Sequence, residues 1–186
     1  MHPLLAVVPH LDTPTTLAFD LDPGQPAGIL DATEIALLLR DVLAGVGLRT
    51  WAKSSGSRGV QVYAPLNSRA SFGVAKAFAR SVAEVLATGM PDRVVARMDK
   101  RLRAGKVLVD WSQNDRHKST VAAYSLRAKL ERPTVSVPLT WTELEAAVDA
   151  GATDALLVSP AEALARVAEH GDLFAPVLSC VQALPT

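Results

Sequence analysis

Apolar positions along the chain follow two different periods. Thr16 to Leu21 is β-branched and aromatic-rich and runs into the turn signal Asp22-Pro23-Gly24, so it reads as a buried strand that turns acidic at its end. Ile35, Leu38, Leu39, Val42 and Val46 then recur at helical spacing. Asp31 and Glu34 stand ahead of them at capping-box separation and Gly47 follows, which predicts a one-faced helix. Leu48 to Lys53 and Val60 to Leu66 read as two strands joined by Ser-Ser-Gly-Ser-Arg-Gly. Ser71 opens a second helix with Ala75, Phe78, Val82 and Val85 as its apolar face, ended by Gly89 and Pro91.

Val107 to Trp111 and Thr120 to Leu126 are read as further strands, and Leu4 to Val8 is strand-like. Thr140 with Glu143, and Ser159 with Pro160 and Glu162, signal two later helices, the second closing at Gly171. No repeat, heptad run or low-complexity linker divides the chain. Strands follow one another without a βαβ rhythm. The expected fold is therefore one α+β domain over residues 1–186, a palm with a mixed or antiparallel sheet flanked by helices.

Composition narrows the class. The 186 residues are 49% hydrophobic with a formal net charge of zero, so any nucleic-acid role needs a local basic surface. Arg93 to Arg132 is such a segment: Arg97, Lys100, Arg103, Lys118, Arg127 and Lys129 are among its bases, against only Asp99, Asp110, Asp115 and Glu131. The single cysteine, Cys180, excludes an internal disulfide and reads as a small buried hydrophobe. No stretch approaches the roughly 20 apolar residues of a membrane span, which predicts a cytoplasmic protein with no membrane partner. The four histidines lack paired spacing, and Trp51, Trp111 and Trp141 are read as packing groups.

Strand residues two apart share a face, so Asp20 and Asp22 can place their carboxylates side by side. A divalent cation would remove their repulsion, and hard oxygen ligands suit magnesium or manganese. Asp110, at the end of Val-Leu-Val-Asp, is the best third ligand for a site of two metals. The Gly-Ser loop can turn free amides toward an anion. Together with the basic segment these features favour nucleotidyl transfer. Two plainer readings stand beside it: a turn cap plus a surface charge for the Asp pair, and a surface strand charge for Arg127. A phosphohydrolase using the first aspartate as nucleophile lacks the threonine expected after the pair.

The motifs resemble the primase-polymerase domain of bacterial DNA ligase D. Phe19 to Gly24 is similar to its first motif, Ser55 to Tyr63 to its second, Arg103 to Asn114 to its third, and Lys118 to Arg127 to the basic strand after it. The resemblance spans nearly the whole chain. It implies a primase-type palm that adds ribo- or deoxyribonucleotides at DNA ends in non-homologous end joining, with Mn2+ or Mg2+ as cofactor. It implies Asp20, Asp22 and Asp110 as catalytic metal ligands. Ser55 and the amides around Gly56, Ser57 and Arg58 would hold the triphosphate, with Gln61 beside them, and Lys118 and Arg127 would neutralise phosphates.

Gln61 stands where the family carries a phosphate-contacting histidine, so either a weakened catalytic contact or a polar scaffold role follows. The chain also begins near the middle of the family's domain. Its N-terminal half is then expected to be missing or supplied by another chain, with DNA ends, NTP or dNTP and a ligase as further partners. A catalytically weak or inactive DNA-binding or repair-partner module is the alternative function.

Overall fold

The computed structural model describes residues 1–185. Strand β1 (Thr16–Pro23) leads into helix α1 (Ile29–Gly45), strands β2 (Trp51–Ser54) and β3 (Val60–Pro65), and helix α2 (Phe72–Gly89). Strands β4 (Val94–Val95), β5 (Val107–Asp110), β6 (Ser125–Arg127), β7 (Thr134–Ser136) and β8 (Pro138–Leu139) follow. Helices α3 (Trp141–Asp149), α4 (Pro160–His170) and the short α5 (Pro176–Ser179) complete the fold. The main sheet has six strands in the order β4-β5-β1-β3-β2-β8, antiparallel except for the β4–β5 pair. β6 and β7 form a separate two-stranded ribbon. The predicted α+β class with a mixed sheet holds.

Alternation in β1 divides the molecule into two faces. Leu17, Phe19 and Leu21 are fully buried and meet the apolar stripes of α1 and α2. Burial of each such side chain contributes about 1.5–3 kcal/mol. Thr16, Ala18, Asp20 and Asp22 point to the opposite face, which carries the polar groups.

Several local expectations change. α1 starts at Ile29, and Asp31 sits inside its first turn, where its Oδ2 accepts the Gly28 amide at 2.7 Å. Glu34 instead pairs with Arg93. α2 presents Ala75, Ala79, Val82, Ala83 and Leu86 to the sheet and leaves Val85 exposed, because its alanines allow a close approach. Leu4 to Val8 forms only an isolated bridge from Leu4 to Ser119, since Pro3 and Pro9 remove ladder donors at both ends. The strand expected over Thr120–Leu126 begins only at Ser125, because Tyr124 adopts a φ of 62° that interrupts extended backbone.

Both later N-caps form as the pattern predicts. Thr140 and Ser159 each close a capping box, with Glu143 and Glu162. Cys180 is buried and unpaired by disulfide. Trp111 and Trp141 donate their indole N–H groups to the carbonyls of Ala96 and Thr50, as packing residues do. Among the described residues no helix is long and apolar enough to cross a membrane.

Candidate active site

Four strands deliver one polar row. Asp110 on β5 lies opposite Asp20 on β1, Asp20 opposite Gln61 on β3, and Gln61 opposite Lys53 on β2. Directly opposed residues in antiparallel strands share a face, with Cα atoms about 4.5–5.5 Å apart. Two carboxylates, an amide and an ammonium therefore stand in line. Asp22 joins the carboxylate end from two residues further along β1.

The local chain explains each placement. Beyond Asp110 the backbone leaves β5 for a 3₁₀ turn, Trp111–Gln113. Asn114, fully buried, then takes over as a side-chain substitute for the strand: its Oδ1 accepts the Ala18 amide at 2.9 Å and its Nδ2 donates to the Ala18 carbonyl at 2.7 Å. Asp110 caps the turn. Its Oδ1 accepts from the amide and hydroxyl of Ser112, and its Oδ2 accepts from Gln113 Nε2 at 2.8 Å. Those bonds hold the Asp110 carboxylate beside its own turn.

Electrostatics mark the carboxylate end as short of positive charge. Desolvation and the neighbouring Asp22 push Asp20 up to about 7, against the lowering effect of Gln61 and Lys53. Desolvation and Asp110 raise Asp22 as well. Asp20 Oδ1 is enclosed with no hydrogen-bond partner among the described residues. At the other end, burial lowers Lys53 to about 7 although Asp20 pulls it upward.

A cleft of about 950 Å³ opens over the middle of this row, lined in part by Asp20, Asp22 and Gln61. The β2–β3 loop contributes Ser55, Ser57 and Arg58, and the basic segment contributes Arg127 together with Lys100, Arg103 and Lys129. Ser55 closes the loop by donating its amide to the Gly59 carbonyl at 2.9 Å and accepting the Gly59 amide on Oγ at 3.2 Å. Gly56 does not line the cleft; it has a φ of 64°, and its carbonyl accepts from Thr134 Oγ1 at 2.6 Å, which ties the loop to β7. The Nε atoms of Arg103 and Arg127 are buried without acceptors among the described residues, as suits a site for an anion.

Lys118 is exposed on a turn and lies outside the cleft, as does the Asp110 side chain. Sequence reasoning missed Lys53, Gln113 and His2, of which the last two line the cleft, and placed Lys129 only within the basic segment. For Lys53 a signal existed, since strand alternation places it on the polar face. Its partner was not readable without the register.

Among the described residues no three His, Cys, Asp or Glu side chains are arranged to hold an ion as they stand. The chemistry nevertheless fits a divalent cation. The orphaned Asp20 oxygen and the mutually repelling Asp20 and Asp22 supply hard, anionic ligands that lack a counter-charge.

Comparison with known proteins identifies the family of the chain. The chain is 45% identical over 161 residues to the multifunctional non-homologous end joining protein LigD of Mycobacterium bovis, covering 86% of this chain and 20% of that protein. The corresponding Pseudomonas aeruginosa protein is 40% identical over 148 residues, covering 77% of this chain and 17% of the relative. The chain thus spans about a fifth of the length of such relatives. A solved structure of the polymerase domain of Mycobacterium tuberculosis ligase D in complex with DNA superposes with a TM-score of 0.80 at 42% identity, over 91% of this chain and 57% of that one. The family described as the LigD primase-polymerase domain matches residues 1–174, and the chain belongs to it.

Proposed function

We propose that this chain is a metal-dependent nucleotidyltransferase of the primase-polymerase type that adds nucleotides at DNA ends during non-homologous end joining. The observation that carries this reading is the pairing of Asp20 with Asp110 across β1 and β5, with Asp22 on the same face and a basic cleft lined by Asp20 and Asp22. Asp20, Asp22 and Asp110 would hold Mn2+ or Mg2+ in a two-metal arrangement. Bound there, the cation supplies charge neutralisation and alignment of an attacking hydroxyl with a nucleotide phosphate.

The chain's own residues do the remaining work. Ser55, Ser57 and Arg58 orient the triphosphate from the β2–β3 loop, and Gly56 gives that loop its turn. Arg127, which lines the cleft and whose guanidinium Nε has no acceptor among the described residues, binds phosphate oxygens. DNA ends and NTP or dNTP are the substrates.

Primer extension on gapped DNA with manganese and all nucleotides tests the reading. Extension by the 186-residue chain that is lost in Asp110→Ala is the expected result; no extension under any metal sinks it. One observation favours a second reading: the Asp110 oxygens are taken by Ser112 and Gln113, and the Gln61 oxygen by Lys53 and Tyr63. A DNA-binding module without catalysis would retain DNA, fail to extend it, and be indifferent to Asp20→Ala.

A further inference from the structure

Lys53 is 1% exposed, among the largest fully buried side chains of the molecule, and a buried ammonium is costly unless its donors are used. Its Nζ donates to Gln61 Oε1 and to Ser136 Oγ at 2.9 Å, and stands 5.5 Å from the centre of the Tyr63 ring. Ser136 spends its own hydroxyl proton on the Ser54 carbonyl at 2.6 Å, which leaves its lone pairs for Lys53. The Tyr63 hydroxyl also donates to Gln61 Oε1, at 3.1 Å, and burial keeps that phenol protonated.

This network fixes which way the amide of Gln61 faces. Lys53 Nζ donates to both of its partners, so the atom of Gln61 that it meets is the amide oxygen. With Lys53 and Tyr63 both on that oxygen, the NH2 group lies on the other side. Gln61 stands between Lys53 and Asp20 in the strand register and lines the cleft. Its two N–H donors therefore face Asp20 and the cleft interior.

We propose that Lys53 is a positioning residue, which locks the Gln61 amide so that its N–H groups are presented to Asp20 and to a phosphate oxygen of a bound nucleotide. The identity of that ligand rests on the nucleotidyl-transfer reading; the lock itself does not. Without Lys53 the amide can rotate, and the oxygen, which repels both carboxylate and phosphate, can turn into the cleft.

The test uses the isotope-labelled chain, with the Gln61 side-chain amide resonances assigned by their loss in Gln61→Met. Titration with ATP and Mg2+ is expected to move these resonances in the unsubstituted chain. In Lys53→Met, with a melting temperature showing that it is folded, the resonances no longer respond and ATP affinity falls about tenfold, the size of a lost charge-assisted contact. Tyr63→Phe, which removes the second donor but no charge, gives a smaller change in the same direction and decides the matter if Lys53→Met does not fold. Resonances and ATP affinity unchanged in these variants, or a Gln61 amide indifferent to ATP in the unsubstituted chain, overturn the proposal. Primer extension run alongside separates the two ideas: a Lys53-dependent Gln61 response without any extension sinks nucleotidyl transfer alone.

Discussion

Asp20 carries an oxygen with no hydrogen-bond partner among the described residues and faces two further carboxylates, so in the absence of a cation it is a source of strain rather than stability. Asp20→Asn replaces repulsion with an amide that can donate to Asp22. The variant is expected to melt about 2–4 °C above the unsubstituted chain at pH 8 without metal, the equivalent of roughly 1 kcal/mol at this length. Added Mg2+ or Mn2+ should raise the melting temperature of the unsubstituted chain only. A metal-induced rise that persists in Asp20→Asn would count against this site. Asn114 works in the opposite sense. Its side chain satisfies both backbone groups of Ala18 inside the core, so Asn114→Ala leaves two buried polar groups unpaired and should cost about 2–3 kcal/mol in chemical denaturation. Because the 3₁₀ turn before Asn114 also seats Asp110, metal affinity should fall in the same variant.

Among the elements, the junction of α3 with α4 ties its stability to pH through Glu143. Burial alone would raise Glu143, but hydrogen bonds from Arg166 and from Thr140 outweigh it and hold the carboxyl below its usual range. A depressed carboxylate stabilises the fold above its unfolded value, near 4.5, and that contribution is lost as pH falls through the folded value. Melting between pH 3 and pH 7 should therefore show a decline below about pH 4.5 that is shallower in Glu143→Gln, which at pH 7 loses about 0.5–1 kcal/mol of capping and pairing. This capping box was legible from Thr140 and Glu143 alone, as was the strand that carries Asp20 and Asp22, since both signals are local. The β2–β3 loop was legible as a glycine-serine turn, but its attachment was not. A side chain at Gly56 would meet Arg127 Cγ at 2.5 Å and the Ser136 amide at 2.9 Å, contacts between segments distant in sequence. The Asp110–Asp20–Gln61–Lys53 row escaped for the same reason, because register is set by which strands pair. Gly56→Ala should accordingly disorder the loop, destabilise the chain by about 1–3 kcal/mol and abolish nucleotide binding measured by calorimetry.

At the scale of the whole molecule, zero formal charge coexists with a cleft into which Arg58, Lys100, Arg103, Arg127 and Lys129 project. Balance is reached because the acids are spent elsewhere: Glu34 on Arg93, Asp115 on Lys76 at 2.6 Å, Glu145 on Arg40 at 2.6 Å, and Glu143 on Arg166. The cleft bases have no such partners among the described residues, so a polyanion is their natural counter-charge. Binding should then be governed by counterion release, with log affinity for duplex DNA falling linearly against log salt at a slope of about −0.9 for each phosphate neutralised. Removing two of the bases in Arg103→Gln with Lys129→Gln should flatten that slope by about 1.8 and weaken binding alike for all sequences, because phosphate contacts carry no base information. Fluorescence anisotropy of labelled DNA at a series of salt concentrations measures both quantities. An unchanged slope in the double variant would place the DNA on another surface, whereas Lys118→Gln, outside the cleft, should leave the slope as it is.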